Sequence, residues 1–140
     1  GLAAPIRLRR RTPRTEALRV LGCGMPRRER ILISRGDVWD ATIPGVGTHP
    51  VVVVTRDTAV PVLSSVVCVL VTSTFYGHVG EVGLGSDEGL DRECAANCDN
   101  VFTLPKEVLT RRRGRLGPAR LGPARLTRLD QALTIALGLE

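Results

Sequence analysis

From Ile31 onward, apolar and polar positions follow the two-residue period of β-strands. In Arg35–Ile43 (RGDVWDATI), Val38, Asp40 and Thr42 alternate with Asp37, Trp39 and Ala41. This predicts a strand led in by Ile31–Ile33, with Trp39 in the core. A turn-rich stretch, Pro44–Pro50 (PGVGTHP), comes next. Val51–Thr55 opens with a run of valines, which marks a strand buried on both faces. Asp57–Pro61 reads as a loop, and Ser65–Thr72 (SVVCVLVT) as a second long apolar strand. Tyr76–Gly77 predicts a turn, His78–Leu84 a further strand and Gly85–Glu93 a polar loop. Cys94–Val101 predicts a short strand, with turn chemistry at Asp99–Asn100. Several short strands at this spacing make a small, mainly β barrel.

The period changes near the C-terminus. Pro105–Thr110 suits one helical turn with Pro105 at its first position. Arg115–Arg125 (RLGPARLGPAR) is a tandem duplication, read as a lengthened loop. Leu129, Ala132, Leu133, Ala136 and Leu137 then fall on one helical face. Thr127 is the expected cap of this helix, with Asp130 closing a shortened capping box.

Charge divides the chain in two. The whole carries +6, but residues 1–30 alone hold nine arginines against two glutamates. Residues 1–24 have arginine runs, prolines and no period, and Met25 is the only methionine. Two readings follow: a non-native or disordered leader before a domain at 25–140, or a basic arm that folds on RNA. On the first reading, residues 1–24 are dispensable for folding. A second basic cluster lies inside the domain, at Lys106, Arg111, Arg112, Arg113, Arg115, Arg120, Arg125 and Arg128. It is either a phosphate-binding patch or a solvated surface.

The four cysteines, Cys23, Cys68, Cys94 and Cys98, follow no signal-peptide pattern. No histidine lies near enough to Cys94 and Cys98 to complete a zinc-ligand spacing. Reduced thiols in a cytoplasmic protein are expected, with no metal and no cofactor. No apolar run reaches the roughly 18 residues of a membrane span.

The order of segments resembles a known family. RGDVW (Arg35–Trp39), a glycine-rich loop, PVVVVTRD (Pro50–Asp57), VCVLVTS (Val67–Ser73) and CDNVFTLPKEVL (Cys98–Leu109) together look like the MazF/PemK/Kid toxins, over about residues 31–138. The resemblance implies an SH3-like small barrel of the CcdB/MazF/PemK type with a C-terminal helix. It implies a homodimeric toxin of a type II toxin–antitoxin system, a sequence-specific endoribonuclease that cuts single-stranded RNA without a metal. It also implies a cognate MazE-like antitoxin whose flexible tail occupies the RNA groove.

RNA carries its own nucleophile, the 2′-hydroxyl beside the scissile phosphate. A protein need only take that proton, stabilise the charged transition state and protonate the leaving oxygen. The family's threonine at the end of the third strand maps onto Thr72, with Ser73 beside it. The family's arginine, before the proline that opens the second strand, is replaced here by His49. Histidine changes charge near neutrality and can act as acid or base, but it offers less fixed charge than arginine. The alternative is a solvated loop histidine. Arg35 and Arg56 are the candidate substitutes for the missing charge. The loop after the threonine lines the RNA groove in the family, so Phe75, Tyr76 and His78 are candidate RNA contacts, Phe75 being equally suited to packing. Asn100 and Asp99 either read base edges or make a turn.

Two rival functions remain on this reading. One is a CcdB-like gyrase inhibitor, disfavoured because the chain ends Leu137-Gly138-Leu139-Glu140 without an aromatic. The other is a catalytically inactive relative that binds RNA or antitoxin.

Overall fold

The computed structural model describes residues 33–117 and 124–139. The leader at 1–24, Cys23, Arg120 and most of the duplicated segment lie outside the described residues.

Strands form where the apolar alternation predicts them. They are β1 (Asp37–Ile43), β2 (Gly47–Val53), β3 (Ser65–Thr72), β4 (Glu81–Leu84), β5 (Cys94–Pro105) and β6 (Leu109–Arg115), followed by helix α1 (Arg125–Ala136). They make a single curled sheet in the order β4-β5-β3-β2-β1-β6, with every pairing antiparallel. Because β3 and β4 both run against β5, they are parallel to each other. The 73–80 segment must therefore carry the chain back across one face of the sheet.

Each face buries its own cluster. One holds Val38, Val52, Val69, Val71, Val82, Leu84 and Ala96 and is covered by Leu129 and Ala132 of α1. The other holds Trp39, Val51, Val53, Val66, Cys68 and Leu109. This is why the valine run has no polar alternation: successive residues enter opposite clusters, and both are dry. Trp39 is 1% exposed, as its strand position predicts.

Several local expectations are corrected. Asp99–Asn100 is not a chain reversal. β5 continues through it for twelve residues, and the register jumps from Val69↔Val101 to Leu70↔Asn97, leaving Cys98–Asn100 as a bulge. The bulge is held by Cys98 N donating to Gly80 O (2.8 Å) and Asp99 N to Asn97 Oδ1 (3.0 Å). β4 starts at Glu81, because His78–Glu81 closes a turn first, with Glu81 N donating to His78 O. Ala124, not Thr127, precedes the first residue of α1, and Asp130 pairs with Arg35 at 2.8 Å instead of closing a capping box. Of the predicted stripe, Leu129 and Ala132 are buried, Leu133 and Ala136 pack partly, and Leu137 is 54% exposed. The turn after Pro105 is a short 3₁₀ segment, Lys106–Val108.

Cys68, Cys94 and Cys98 are buried free thiols. Burial pushes Cys68 up to about 12. Burial, with a smaller contribution from the Asp99 charge, pushes Cys98 up to about 11. Both thiols should resist iodoacetamide at pH 8 in the folded protein and react on unfolding, as mass spectrometry would register. Their native values lie above the ordinary 9.0, so the folded state keeps protons that the unfolded state releases. These groups therefore cost stability as pH rises from about 9 through 12.

Candidate active site

The exposed site is built where β2 and β3 stop pairing. Their register runs Val53↔Cys68, Val52↔Val69, Val51↔Leu70. The pairing ends there; counted on past it, Pro50 would stand opposite Val71 and His49 opposite Thr72. Residues opposite each other in an antiparallel pair share a face, so His49 and Thr72 belong to the same one. His49 is exposed on β2, opposite Ala41 of β1. The hairpin that presents it is pinned on its other face by a chain of hydroxyls: Thr48 to Thr42 (3.0 Å) and Thr42 to Thr110 (3.0 Å). Thr110 in turn donates to Asp40 O (3.3 Å).

Thr72 ends β3 half-buried, and its hydroxyl donates to Thr74 O at 3.0 Å. Ser73 beside it is exposed. The whole segment Ser73–Val79 is exposed, with Phe75 and Tyr76 at 55% and 72%. The Tyr76 and His78 rings lie 5.7 Å apart and tilted. Phe75 rests against Gly83, which faces Ala95, which in turn faces Thr72. The crossing segment thus lies on the Thr72 face.

Glu81, which was not singled out from the sequence, organises this segment. One carboxylate oxygen accepts from Tyr76 N (2.9 Å) and His78 N (3.1 Å). A glutamate opening a short strand just after an aromatic–Gly–His turn was the only available signal. Asn100 is exposed on the β5 bulge, beyond Asn97.

The predicted arginines do not gather here. Arg35 donates from Nε to Val54 O (2.9 Å) and pairs with Asp130, so it ties α1 to the sheet. Arg56 is exposed past the opposite end of β2, seven residues or roughly 20 Å from His49.

The basic cluster is not a free patch either. Arg112 and Arg115 face the fully buried Asp37 (3.4 and 3.9 Å), and Arg113 pairs with Asp40 and Asp91 (3.2 and 3.3 Å). Arg125 pairs with Glu88 (3.0 Å), and Lys106 donates to Val60 O (2.8 Å). Of its described members, only Arg111 and Arg128 make neither an ion pair nor a side-chain hydrogen bond with a described residue. The other charges neutralise buried carboxylates or satisfy buried carbonyls, which would otherwise cost several kcal/mol each. Among the described residues, no group of three or more His, Cys, Asp or Glu is arranged to hold a metal ion.

Residues 34–137 match the family model for the PemK-like, MazF-like toxin of type II toxin–antitoxin systems. The chain belongs to this family. The probable endoribonuclease MazF2 of Mycobacterium tuberculosis is 43% identical over 91 residues, which are 64% of this chain and 88% of that protein. The probable endoribonuclease MazF5 of the same organism is 39% identical, over 64% of this chain and 84% of that one. The solved M. tuberculosis toxin MazF-mt6 superposes with a TM-score of 0.65 at 27% identity, covering 74% of this chain and 98% of that one. A mycobacterial endoribonuclease in complex with its cognate antitoxin superposes at 0.66 with 29% identity, covering 77% and 97%. This MazF-like toxin therefore has the mainly β, SH3-like curled sheet with a C-terminal helix that the segment order predicts. Among its described residues, no helix is long and apolar enough to cross a membrane.

Proposed function

We propose that this MazF-like endoribonuclease toxin cuts single-stranded RNA by attack of the RNA's own 2′-hydroxyl, with His49 and Thr72 as the reacting pair. The supporting observation is the β2–β3 register, whose alternation beyond its last pair, Val51↔Leu70, puts His49 and Thr72 on one face. The 2′-oxygen bonds to phosphorus and the bond to the 5′-oxygen breaks. One proton leaves the 2′-hydroxyl and one joins the 5′-oxygen. The products are a 2′,3′-cyclic phosphate and a 5′-hydroxyl.

His49 takes the 2′-hydroxyl proton as base or protonates the 5′-oxygen as acid, and water handles the other proton. The Thr72 and Ser73 hydroxyls donate to the phosphate oxygens, where negative charge grows in the transition state. Phe75, Tyr76, His78 and Asn100 contact the RNA, the rings by stacking. The nucleophile comes with the substrate, so the chemistry needs no metal. The toxin works as a homodimer on cellular RNA in the cytoplasm, and its inhibitor is a MazE-like antitoxin lying over the same groove. The toxin domain is 25–140, and the leader is dispensable.

Purified protein should cut a mixed RNA pool equally well in EDTA, and end mapping should find 5′-hydroxyl termini. Loss of cutting in EDTA, or 5′-phosphate ends, would overturn the mechanism. His49→Ala should lower the cleavage rate at least tenfold. His49→Arg should supply the charge but not the proton transfer, lowering the rate and flattening its change between pH 5 and 8, because arginine holds its charge throughout. An unaltered rate in His49→Ala would leave His49 a solvated loop residue.

The second reading, an inactive binding relative, draws on the Thr72 hydroxyl's bond to Thr74 O and on the missing arginine. Growth arrest on induced expression, relieved by a neighbouring small antitoxin reading frame but not by His49→Ala, would favour binding over cutting.

A further inference from the structure

We infer that a cleft next to Thr72 holds one nucleobase of the RNA and selects a base that carries an exocyclic amine. The inference rests on the cleavage reading above and adds a specificity element to it. The cleft has a volume of about 380 Å³ and is lined by Phe75, residues 83–87, Glu93, Cys94 and the Glu88–Arg125 pair. That volume lies at the small end of the range for ligand pockets and suits a single base with its sugar.

Its position fits a nucleotide close to the cut. Gly83 faces Ala95 and Ala95 faces Thr72, so the cleft begins two strand spacings, roughly 10 Å, from the Thr72 hydroxyl. Phe75 belongs to the exposed segment that follows Thr72, and its ring offers a stacking face that any base can use. A strand of RNA whose phosphate lies at Thr72 can place a neighbouring base on Phe75 without leaving this face.

The lining chemistry decides which base. Asp87 and Glu93 are exposed, and neither makes a hydrogen bond or ion pair with a described residue. Ionised carboxylates only accept hydrogen bonds. They repel a phosphate and accept from the N–H groups of a base edge. Cytosine, adenine and guanine present an exocyclic amine, whereas uracil offers only its N3–H, flanked by two carbonyl oxygens that the carboxylates repel.

Arg125 is not free to bind phosphate in competition. Its Nε lies 3.0 Å from Glu88 Oε2, and its Nη1 donates to Gly83 O. Glu88 is 2% exposed, and its other oxygen accepts from Gly85 N at 2.7 Å. The charged pair is already satisfied and fixes the shape of the cleft before any ligand arrives. A basic side chain of a protein partner would also meet the carboxylates. That Phe75, three residues after Thr72, lines the cleft favours the base.

The test uses the full chain, the double variant Asp87→Asn/Glu93→Gln and the single variant Phe75→Leu on a randomised RNA pool with mapped ends. In the unaltered protein, one position near the cut should favour amine-bearing bases over uracil by about tenfold. The double variant should flatten that preference to below about threefold. Oligonucleotides with a 2′-deoxy group at the cut bind without reacting, and they should shift the Phe75 ring resonances only when an amine-bearing base is present.

A preference that is flat in the unaltered protein, or that survives both variants, overturns the inference. Amine-dependent shifts at Phe75 without any cutting would support the cleft and overturn the cleavage reading instead. Ring shifts caused by an arginine-rich peptide and by no oligonucleotide would assign the cleft to a protein partner and overturn it. Both carboxylates are exposed, so the double variant is expected to fold. If it does not, Phe75→Leu must reproduce the loss of oligonucleotide-induced base preference, and a preference unchanged in it counts against the inference.

Discussion

Replacing Thr72 by valine is expected to slow RNA cleavage about a hundredfold, the usual cost of removing one donor aimed at a developing oxyanion. Valine keeps the branched shape and suits a strand end, so β3 should persist. The hydroxyl is lost, and with it the hydrogen bond that Thr72 now gives to Thr74 O. That resting bond contributes only about 1 kcal/mol to stability, because the exposed carbonyl can turn to water. The loss should therefore fall on the chemical step, with RNA binding little changed. Thr72→Ser, which keeps a donor at the same place, should recover most of the rate. Single-turnover cleavage of one defined oligonucleotide, with its binding measured separately, separates the two quantities. A Thr72→Val protein that folds, binds and cuts at the full rate would remove Thr72 from the mechanism and leave Ser73 as the remaining hydroxyl at the site.

How far the sequence reveals this molecule depends on the distance over which each feature is decided. The strand Val51–Val53 is legible because burial on both faces writes apolar residues at every position. The helix stripe through Leu129 and Ala132 is legible for the same local reason. Asp99–Asn100 misleads because a β-bulge and a tight turn ask for the same residues, and only the partner register at Val69 and Leu70 tells them apart.

The basic cluster misleads more instructively. Arg112 meets Asp37 across 75 positions of sequence, and Arg113 meets Asp40 across 73. A count of local charge sees the arginines and cannot see the carboxylates that consume them. Thr72 and His49 were reached through the order of segments, and the register adds their common face. Glu81, which holds the backbone of the crossing segment, offers almost no signal until the fold brings it under Tyr76 and His78.

The largest stability effect is expected at Gly89. The sheet ends in β4 and β6, which do not pair with each other, so its closure depends on the Ser86–Glu88 turn crossing β6. At that crossing two glycines meet. A Cβ on Gly89 would fall inside the carbonyl of Arg113, closer than any van der Waals contact allows, and one on Gly114 would lie 2.5 Å from Glu88 O. Gly89 also has a φ of +83°, which L side chains avoid at a cost of roughly 1–2 kcal/mol. Overpacking against fixed backbone adds about 1–3 kcal/mol. Gly89→Ala should therefore lose roughly 2–5 kcal/mol, or about 10 °C or more of melting temperature for a domain of this size.

Gly45 gives the control. Its φ is +79°, but nothing lies within 4 Å of its Cβ direction, so Gly45→Ala meets only the backbone cost. Gly114→Ala meets only the steric one. The order of melting temperatures should be Gly45→Ala above Gly89→Ala, with a clear gap. Equal losses at the two sites would mean that the crossing yields easily and that the curled sheet is held by something else. The Glu88–Arg125 pair sits one residue before Gly89, so opening this crossing should also loosen the cleft beside Thr72 and blunt base preference before it blunts cutting.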